Sequence, residues 1–115
     1  MRRGEIRWVA LDPGDERHGK AQRPAVIVSN DGANAAAARR GSGVVTVVPL
    51  TTSSAAAQPF QVILPAGQGG LPRDSKALAE HVRTVGADRV GPSIGVVPLE
   101  YMRRIDDALR LHLSL

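Results

Sequence analysis

Two side chains capable of chemistry, Arg23 and Thr51, each lie at one end of an apolar run that is rich in β-branched residues. Arg23 opens the run that ends at the polar turn of residues 29–30, and Thr51 closes the run that begins at residue 44. Runs of this kind predict buried strands. If the two strands are neighbours in a sheet, the guanidinium and the hydroxyl share one cleft at the rim of the core.

An arginine and a hydroxyl in one cleft suit chemistry at a phosphate group. The guanidinium is a planar fork that matches phosphate oxygens. RNA supplies its own nucleophile, the 2′-hydroxyl, so strand cleavage needs only a proton acceptor, a proton donor and stabilisation of the negative charge that develops at phosphorus. The residue types permit this chemistry, but composition alone does not select it.

Motifs of most other enzyme classes are absent from the sequence. The three histidines, His18, His81 and His112, lie far apart without an HExxH spacing, and there is no cysteine for a thiolate metal site or a disulfide. There is no GxSxG elbow, and the glycines at positions 67, 69 and 70 do not lead into a phosphate-binding loop. We therefore expect neither a metal nor another cofactor.

The charged and aromatic residues restrict how a nucleic acid could be held. Fifteen basic residues against eleven acidic ones give a net charge of +4, and only Lys20 and Lys76 among the bases are lysines. The arginine excess fits a phosphate-bearing partner, but the codon usage of a GC-rich genome explains it equally well. Trp8, Phe60 and Tyr101 are the only aromatic residues, so RNA contacts would depend on charge and hydrogen bonds more than on base stacking.

The length and the N-terminus set the expected organisation. A chain of 115 residues predicts one domain that spans residues 1–115. No apolar stretch follows the basic N-terminal residues, and no segment approaches the roughly 20 apolar residues that a membrane span needs. We therefore expect a cytoplasmic protein without a membrane partner.

Alternating and β-branched segments predict several short strands separated by turns. The segment 71–85 alternates in its second half and favours a strand, although its Ala, Lys and Glu content also allows a helix. Residues 12–21 read as a long polar loop, and residues 86–92 as a turn or a short helical connection. The other strands are expected near residues 4–11, 24–28, 44–49, 60–64 and 94–97.

The clearest helix prediction is at the C-terminus. Pro98 is typical of a helix start, and the apolar residues after it recur every three or four positions until Leu109. Residues 111–115 switch to a period of two, which indicates that they leave the helix. Residues 35–40 favour at most a turn or two of helix. The elements together predict a mainly β fold, a small and strongly bent SH3-like β-barrel with a C-terminal α-helix.

The ordered series of motifs resembles the MazF/PemK family of toxin endoribonucleases, and the similarity runs over essentially the whole chain. The whole series in this order is specific, although no single motif is. It consists of residues 3–6 with Trp8, Asp12-Pro13, residues 22–30, residues 48–53, residues 59–62, Asp74-Ser75, residues 80–84, and the closing helix with Leu109 and Leu111.

This resemblance implies a fold, an activity and partners. The fold is an SH3-like barrel of the CcdB/PemK type that forms a homodimer. The activity is that of the toxin of a type II toxin–antitoxin system, which cuts single-stranded RNA at short sequences without a metal and leaves a 2′,3′-cyclic phosphate and a 5′-hydroxyl. The partner is a cognate MazE-like antitoxin whose C-terminal segment occupies the RNA-binding surface.

The resemblance also implies roles for individual residues. Arg23 matches the catalytic arginine of the family and Thr51 its catalytic threonine, with Thr52 as the rival for that second role. Arg83 supports the site or the dimer more than the chemistry, and His81 places a titratable ring where close relatives carry glutamine. The expected RNA-binding residues are Glu16, Thr52, Ser75, Glu80, His81 and Arg83.

The sequence departs from the family pattern in the first loop, and two alternatives stay open. Residues 14–19 form a longer and more charged stretch than many relatives have, and Glu16 is the residue that corresponds to the family's glutamate. One alternative is a non-enzymatic module that acts by binding a protein, because the same barrel hosts topoisomerase inhibitors. The other is a nuclease that uses His81 and His18 as general acid and base.

Overall fold

A computed structural model of the chain describes residues 1–11 and 22–115. The predicted loop at residues 12–21, with Glu16 and His18, lies outside the described residues. The strands are β1 (Glu5–Ala10), β2 (Gln22–Ile27), β3 (Val44–Thr51), β4 (Gln61–Leu64), β5 (Ser75–Leu78), β6 (Arg83–Gly86) and β7 (Val90–Val96). The helices are α1 (Asp31–Arg40) and α2 (Leu99–Leu113), with single 3₁₀ turns at Gln68–Gly70, Ala79–His81 and Ala87–Arg89.

The described strands form one antiparallel sheet in the order β4-β5-β3-β2-β1-β7, and β6 also pairs with β3. The strand β3 is shared, because its first half pairs with β6 and its last two residues pair with β5. The predicted mainly β fold with a C-terminal helix is confirmed. Among the described residues β4 and β7 do not pair with each other, so the sheet is barrel-like and open at that seam.

The core consists of two apolar clusters, because side chains alternate between the two faces of each strand. One cluster joins Ile6, Val26 and Val48 to the buried face of α2. The other joins Ala25, Ile27, Val45 and Val47 to Ala37 of α1. The strands β2 and β3 therefore contribute to both clusters and occupy the centre of the fold, which fixes the position of whatever lies at their ends.

The helix α2 is longer than the sequence pattern predicts. Met102, Ile105 and Ala108 are buried, as the spacing requires, but the helix continues through Leu113 and ends where Ser114 takes a left-handed conformation. The prediction that residues 111–115 leave the helix is therefore wrong for residues 111–113. No helix-breaking residue stands before Ser114, and the period of two reflects exposed leucines that do not pack on the sheet.

The helix α1 is also longer than the predicted turn or two. Asn30 caps it, since its side-chain oxygen accepts a hydrogen bond from the Ala33 N–H, and Gly41 ends it in a left-handed conformation. Asp31 near the first turn and Arg39 and Arg40 in the last turn suit the helix dipole. These end effects, together with the helix propensity of the alanines, account for the ten residues of helix.

Segment 71–85 is not a single strand. It contains the short strands β5 and β6, separated by the 3₁₀ turn Ala79–His81. This division follows from the sheet, because β5 lies between β3 and β4 whereas β6 pairs with the other half of β3. The predicted short helical connection is confirmed at Ala87–Arg89, but β7 begins at Val90, earlier than expected. Pro92 is tolerated there because β7 pairs on one side only among the described strands.

Candidate active site

Arg23 and Thr51 lie in the same cleft. Its volume is about 310 Å³, and its lining consists of Arg23 and Pro24 from β2, Leu50, Thr51 and Thr52 from the end of β3, and Ser75 from β5. The prediction that the guanidinium and the hydroxyl share one cleft is confirmed. Two further predicted site residues, Thr52 and Ser75, also line it.

The cleft opens where the hydrogen-bond ladder between β2 and β3 stops. The described pairs run from Ile27–Val47 to Ala25–Pro49 and end there. Because the Val28 N–H donates to the Thr46 carbonyl, the even-numbered residues of this strand direct their N–H groups at β3. Pro24 is an even-numbered position and has no N–H to donate. The ladder therefore ends before Pro24, and continuing the register places Arg23 opposite Thr51 across the opening.

A second proline marks the place where β3 changes partners. The last pair with β6 is Val47–Arg83, and the first pair with β5 is Leu50–Ala77. Pro49 lies between them, where a missing N–H leaves no donor for either neighbour. The change brings β5 against the end of β3, so that Ser75 reaches the cleft from a distant part of the sequence.

The Arg23 side chain is exposed at the rim of the cleft. Among residues 1–11 and 22–115 it has neither a hydrogen bond nor an ion pair within contact distance. A guanidinium carries five N–H donors in a fixed fork, and here they face the cleft opening and the solvent. The geometry leaves this cation available to a phosphate group.

The hydroxyls beside Arg23 are held by the backbone of the segment that follows β3. The Thr51 Oγ1 accepts a long hydrogen bond of 3.4 Å from the Ser53 N–H, and the Ser53 Oγ accepts one of 3.3 Å from the Ala55 N–H. A hydroxyl that accepts a bond in this way keeps its own O–H as a donor. Ser75 differs, because it is 5% exposed and its hydroxyl donates to the Arg73 carbonyl at 3.1 Å.

Glu80, His81 and Arg83 do not line this cleft in the part of the chain that is described. The Glu80 Oε2 accepts a hydrogen bond from the Gln61 Nε2 at 2.6 Å, while its Oε1 is buried and has no partner among the described residues. His81 and Arg83 are both exposed, and Arg83 lies on β6 opposite Val47. The carboxylate oxygen without a partner is the notable polar feature here, because such an atom costs about 1–3 kcal/mol unless a donor reaches it.

Sequence reasoning missed Lys76. It lies in β5 directly opposite Thr51, it is only 6% exposed, and its Nζ donates to the Ala55 carbonyl. The signal that could have found it is a single lysine among small and apolar residues in a predicted strand, because lysines are seldom buried without a reason.

Two negative observations complete the description of residues 1–11 and 22–115. Within these ranges no three His, Asp or Glu side chains come together as a group that could ligate a metal ion. Neither α1 nor α2 has the length and apolar character that a membrane-crossing helix requires.

The open, barrel-like sheet, its C-terminal helix and the Arg–Thr cleft at the ends of β2 and β3 define a small β protein whose site suits a phosphate group. The family model that matches residues 2–113 describes a PemK-like, MazF-like toxin of a type II toxin–antitoxin system. The chain belongs to this family of toxins.

Individual relatives cover the full chain. The endoribonuclease MazF9 of Mycobacterium tuberculosis is 50% identical over 115 residues, which is 100% of this chain and 98% of the relative. The endoribonuclease EndoA of Bacillus subtilis is 31% identical over 118 residues, which is 100% of this chain and 96% of the relative. Among solved structures, a mycobacterial endoribonuclease in complex with its cognate antitoxin has a TM-score of 0.77 at 28% identity, with 100% of this chain and 96% of that chain covered.

Proposed function

We propose that this chain is a sequence-specific endoribonuclease that cuts single-stranded RNA as the toxin of a toxin–antitoxin pair. The observation that carries the proposal is the cleft lined by both the Thr51 hydroxyl and the Arg23 guanidinium, which has no polar partner within residues 1–11 and 22–115. The names of the curated relatives support it, since MazF9 and EndoA are both endoribonucleases.

The reaction is a transesterification within the RNA. The 2′-oxygen attacks the adjacent phosphorus and loses its proton to a base, the bond from phosphorus to the 5′-oxygen breaks, and that oxygen gains a proton. The products are a 2′,3′-cyclic phosphate and a 5′-hydroxyl, with no net consumption of water. The nucleophile is part of the substrate, so the step needs no metal-bound water.

Arg23 and Thr51 act on the charge that develops at phosphorus. The guanidinium stays protonated at ordinary pH, so it serves first as a clamp that donates two parallel hydrogen bonds to non-bridging oxygens. The Thr51 O–H donates from the opposite strand. Hydrogen-bond donors that are already in position bind the transition state more tightly than the substrate, because the negative charge on the phosphate oxygens is larger there. This difference is the source of rate enhancement at such sites.

The remaining predicted RNA contacts extend from this centre. Thr52 and Ser75 line the same cleft and would contact the backbone of the bound strand. Glu80 is proposed as a base contact from the family resemblance, because its carboxylate can accept a hydrogen bond from an exocyclic amine of a base. Glu16, His81 and Arg83 are retained as proposed contacts from the family resemblance.

The partners and the location belong to the same proposal. A solved relative is an endoribonuclease in complex with its cognate antitoxin, and we propose that a MazE-like antitoxin likewise covers the cleft of this toxin. We also propose a homodimer, one domain over residues 1–115 and a cytoplasmic location, where messenger RNA is available. Sedimentation velocity of the purified protein measures the dimer directly.

The decisive experiment incubates the purified protein in EDTA with a long single-stranded RNA and maps the 5′ ends of the fragments. We expect discrete cuts at one short sequence, with 5′-hydroxyl and 2′,3′-cyclic phosphate ends. Fragments with 5′-phosphates, or activity that EDTA abolishes, would contradict the mechanism. Intact RNA at all enzyme concentrations would contradict the nuclease proposal and favour a module that acts by protein binding.

The histidine alternative is separated by two variants in the same assay. We expect Arg23→Ala to lose cleavage and His81→Ala to keep it, although the preferred sequence can change. Cleavage that survives Arg23→Ala and is lost in His81→Ala would instead support general acid–base catalysis by histidine.

A further inference from the structure

Lys76 occupies an unusual position for a lysine. It lies on β5, between Thr51 of β3 and Ile63 of β4, and its side chain is 6% exposed. Directly opposed residues of an antiparallel pair project to the same face with Cβ atoms about 5 Å apart. The Lys76 side chain therefore starts beside that of Thr51.

Among residues 1–11 and 22–115, the Lys76 ammonium has fewer acceptors than it can use. It carries three N–H donors, and the Nζ donates to the Ala55 carbonyl at 2.5 Å. Among the described residues no carboxylate forms an ion pair with it. A cation taken out of water is costly unless an anion or several acceptors compensate it. This arrangement has capacity for a further, preferably negative, acceptor.

A cavity of about 320 Å³ adjoins the lysine. Hydroxyl groups of Thr52, Ser53 and Ser54 line it together with Lys76. Thr52 and Ser75 line both this cavity and the cleft of Arg23 and Thr51, so the two spaces are adjacent. A strand of RNA carries one phosphate for each nucleotide, so a chain with its scissile phosphate in the cleft can place a neighbouring phosphate in the adjacent cavity.

One carboxylate opposes an anion in this cavity. Asp74 also lines it, and its Oδ1 accepts a hydrogen bond from the Ala66 N–H at 2.7 Å. Asp74 is exposed, whereas Lys76 is buried, so solvent screens the repulsion from Asp74 more than the attraction to Lys76.

We propose that Lys76, with the hydroxyls of Thr52 and Ser53, forms a second phosphate subsite that holds an RNA phosphate flanking the one that is cut. This inference rests on the proposed nuclease function and extends it. Lys76 is a binding residue of the substrate backbone, and it fixes the path of the strand on one side of the cleft.

The test uses an oligonucleotide that contains the mapped cut sequence, with a 2′-deoxy sugar at the cut so that it binds without being cleaved. Each flanking phosphate in turn is replaced by a neutral methylphosphonate, and the dissociation constants of the wild type and Lys76→Met are measured. We expect one position at which the neutral linkage weakens wild-type binding about tenfold, the scale of a hydrogen bond to a charged group. In Lys76→Met the same replacement should have a much smaller effect, because only the hydroxyl contacts to that phosphate remain, and the difference is the coupling that a double-mutant cycle measures for a direct contact.

Two companion variants make the test specific. Arg103→Met removes one positive charge from an exposed position on α2, and the position-dependent effect should persist in it. Asp74→Asn should tighten binding of the unmodified oligonucleotide. The dependence of log Kd on log salt should fall by about 0.7 in Lys76→Met, as for one lost phosphate contact on a single strand.

The outcomes separate this inference from the nuclease proposal. If the wild type cuts RNA but Lys76→Met shows the same position-dependent loss as the wild type, the subsite is wrong and the nuclease stands. If all linkages weaken equally in Lys76→Met and its thermal midpoint falls, Lys76 supports the fold and the subsite is again wrong. If the wild type cuts no RNA, the underlying function fails.

Discussion

The two ends of the β2–β3 pair treat their polar groups in opposite ways. At one end Asn34 is fully buried, and every polar contact is made within the protein. The Ser29 hydroxyl and Asn34 Oδ1 lie 2.5 Å apart, the Asn34 Nδ2 donates to the Ser29 carbonyl at 2.9 Å, and the Thr46 N–H donates to the Ser29 Oγ at 3.0 Å. This network joins α1 to the sheet.

At the other end the polar groups are left with free capacity. The Arg23 guanidinium has no partner among the described residues, Thr51 Oγ1 holds one long contact, and Lys76 Nζ has one acceptor. The same two strands thus carry one polar cluster that stabilises the fold and another whose groups are available to bind a ligand. Buried or clustered polar groups without partners cost stability, so they mark a site whose partner comes from outside.

The largest effect is expected from Arg23→Ala. We expect cleavage to fall by at least about 10³-fold, because the clamp on the developing charge is removed. The thermal midpoint should stay close to that of the wild type, since the side chain is exposed and makes no hydrogen bond or ion pair among the described residues. Cleavage rates and thermal unfolding measured on one preparation test both statements. A large fall in the thermal midpoint would contradict the second statement, because it would show that Arg23 stabilises the fold as the Asn34 network does.

The next effect is expected from Thr51→Val, which keeps the shape of the side chain and removes the hydroxyl. Cleavage should slow by about 10²-fold, the scale of one lost transition-state donor. The matched control is Thr52→Val in single-turnover kinetics, where we expect a smaller change. The reverse order would assign the catalytic hydroxyl to Thr52.

Asn34→Ala tests the satisfied end of the strand pair. It removes both side-chain hydrogen bonds of Asn34 and leaves Ser29 groups without partners, so the free energy of unfolding should fall by about 1–3 kcal/mol. Urea denaturation measures the loss. The cleavage rate per folded molecule should not change. If Asn34→Ala instead loses activity and keeps its full stability, the two ends of the strand pair do not differ in role as proposed.

The smallest effect is expected from Glu5→Gln, at a third polar cluster that is satisfied within the protein. Burial acts to raise the pKa of Glu5, but the Arg2 N–H, Ser93 and the Arg7 guanidinium together hold this pKa below its ordinary value of 4.5. The folded state therefore favours the carboxylate, so its contribution is present above pH 4.5 and is lost as the pH falls through the lowered pKa.

The measurement for Glu5 is urea denaturation of the wild type and Glu5→Gln at pH 7 and pH 3. The wild type should be more stable by up to about 1 kcal/mol at pH 7, and this difference should shrink at pH 3. Asp88→Asn, at an exposed position in the 3₁₀ turn Ala87–Arg89, controls for the general effect of losing a carboxylate. A difference that grows on acidification would contradict the sign of the pKa shift.

The sequence predicts the centre of this fold well because the signals there are local. The runs that carry Arg23 and Thr51 are apolar and β-branched, and the amphipathic period of α2 is regular, so each element follows from its own residues. The shared cleft needed only one further assumption, that the two strands are neighbours.

The structural features that could not be predicted from the sequence depend on contacts with residues elsewhere in the chain. The division of segment 71–85 follows from the change of partner along β3, and the burial of Lys76 follows from its place between β3 and β4. The length of α1 is a different case, because Asn30 and Gly41 are visible in the sequence as helix ends. The contact between Glu80 and Gln61 requires the sheet order, which no local pattern contains.

Pro24 allows the RNA sequence preference of this protein to change without a change in the positions of its catalytic residues. A single missing N–H in a central strand ends the hydrogen-bond ladder between β2 and β3, and Arg23 and Thr51 both lie on these two strands. The segments that surround the opening can therefore exchange residues, and with them the RNA sequence that is recognised, while the cutting geometry is inherited unchanged. One sheet architecture can in this way supply a set of toxins with different targets.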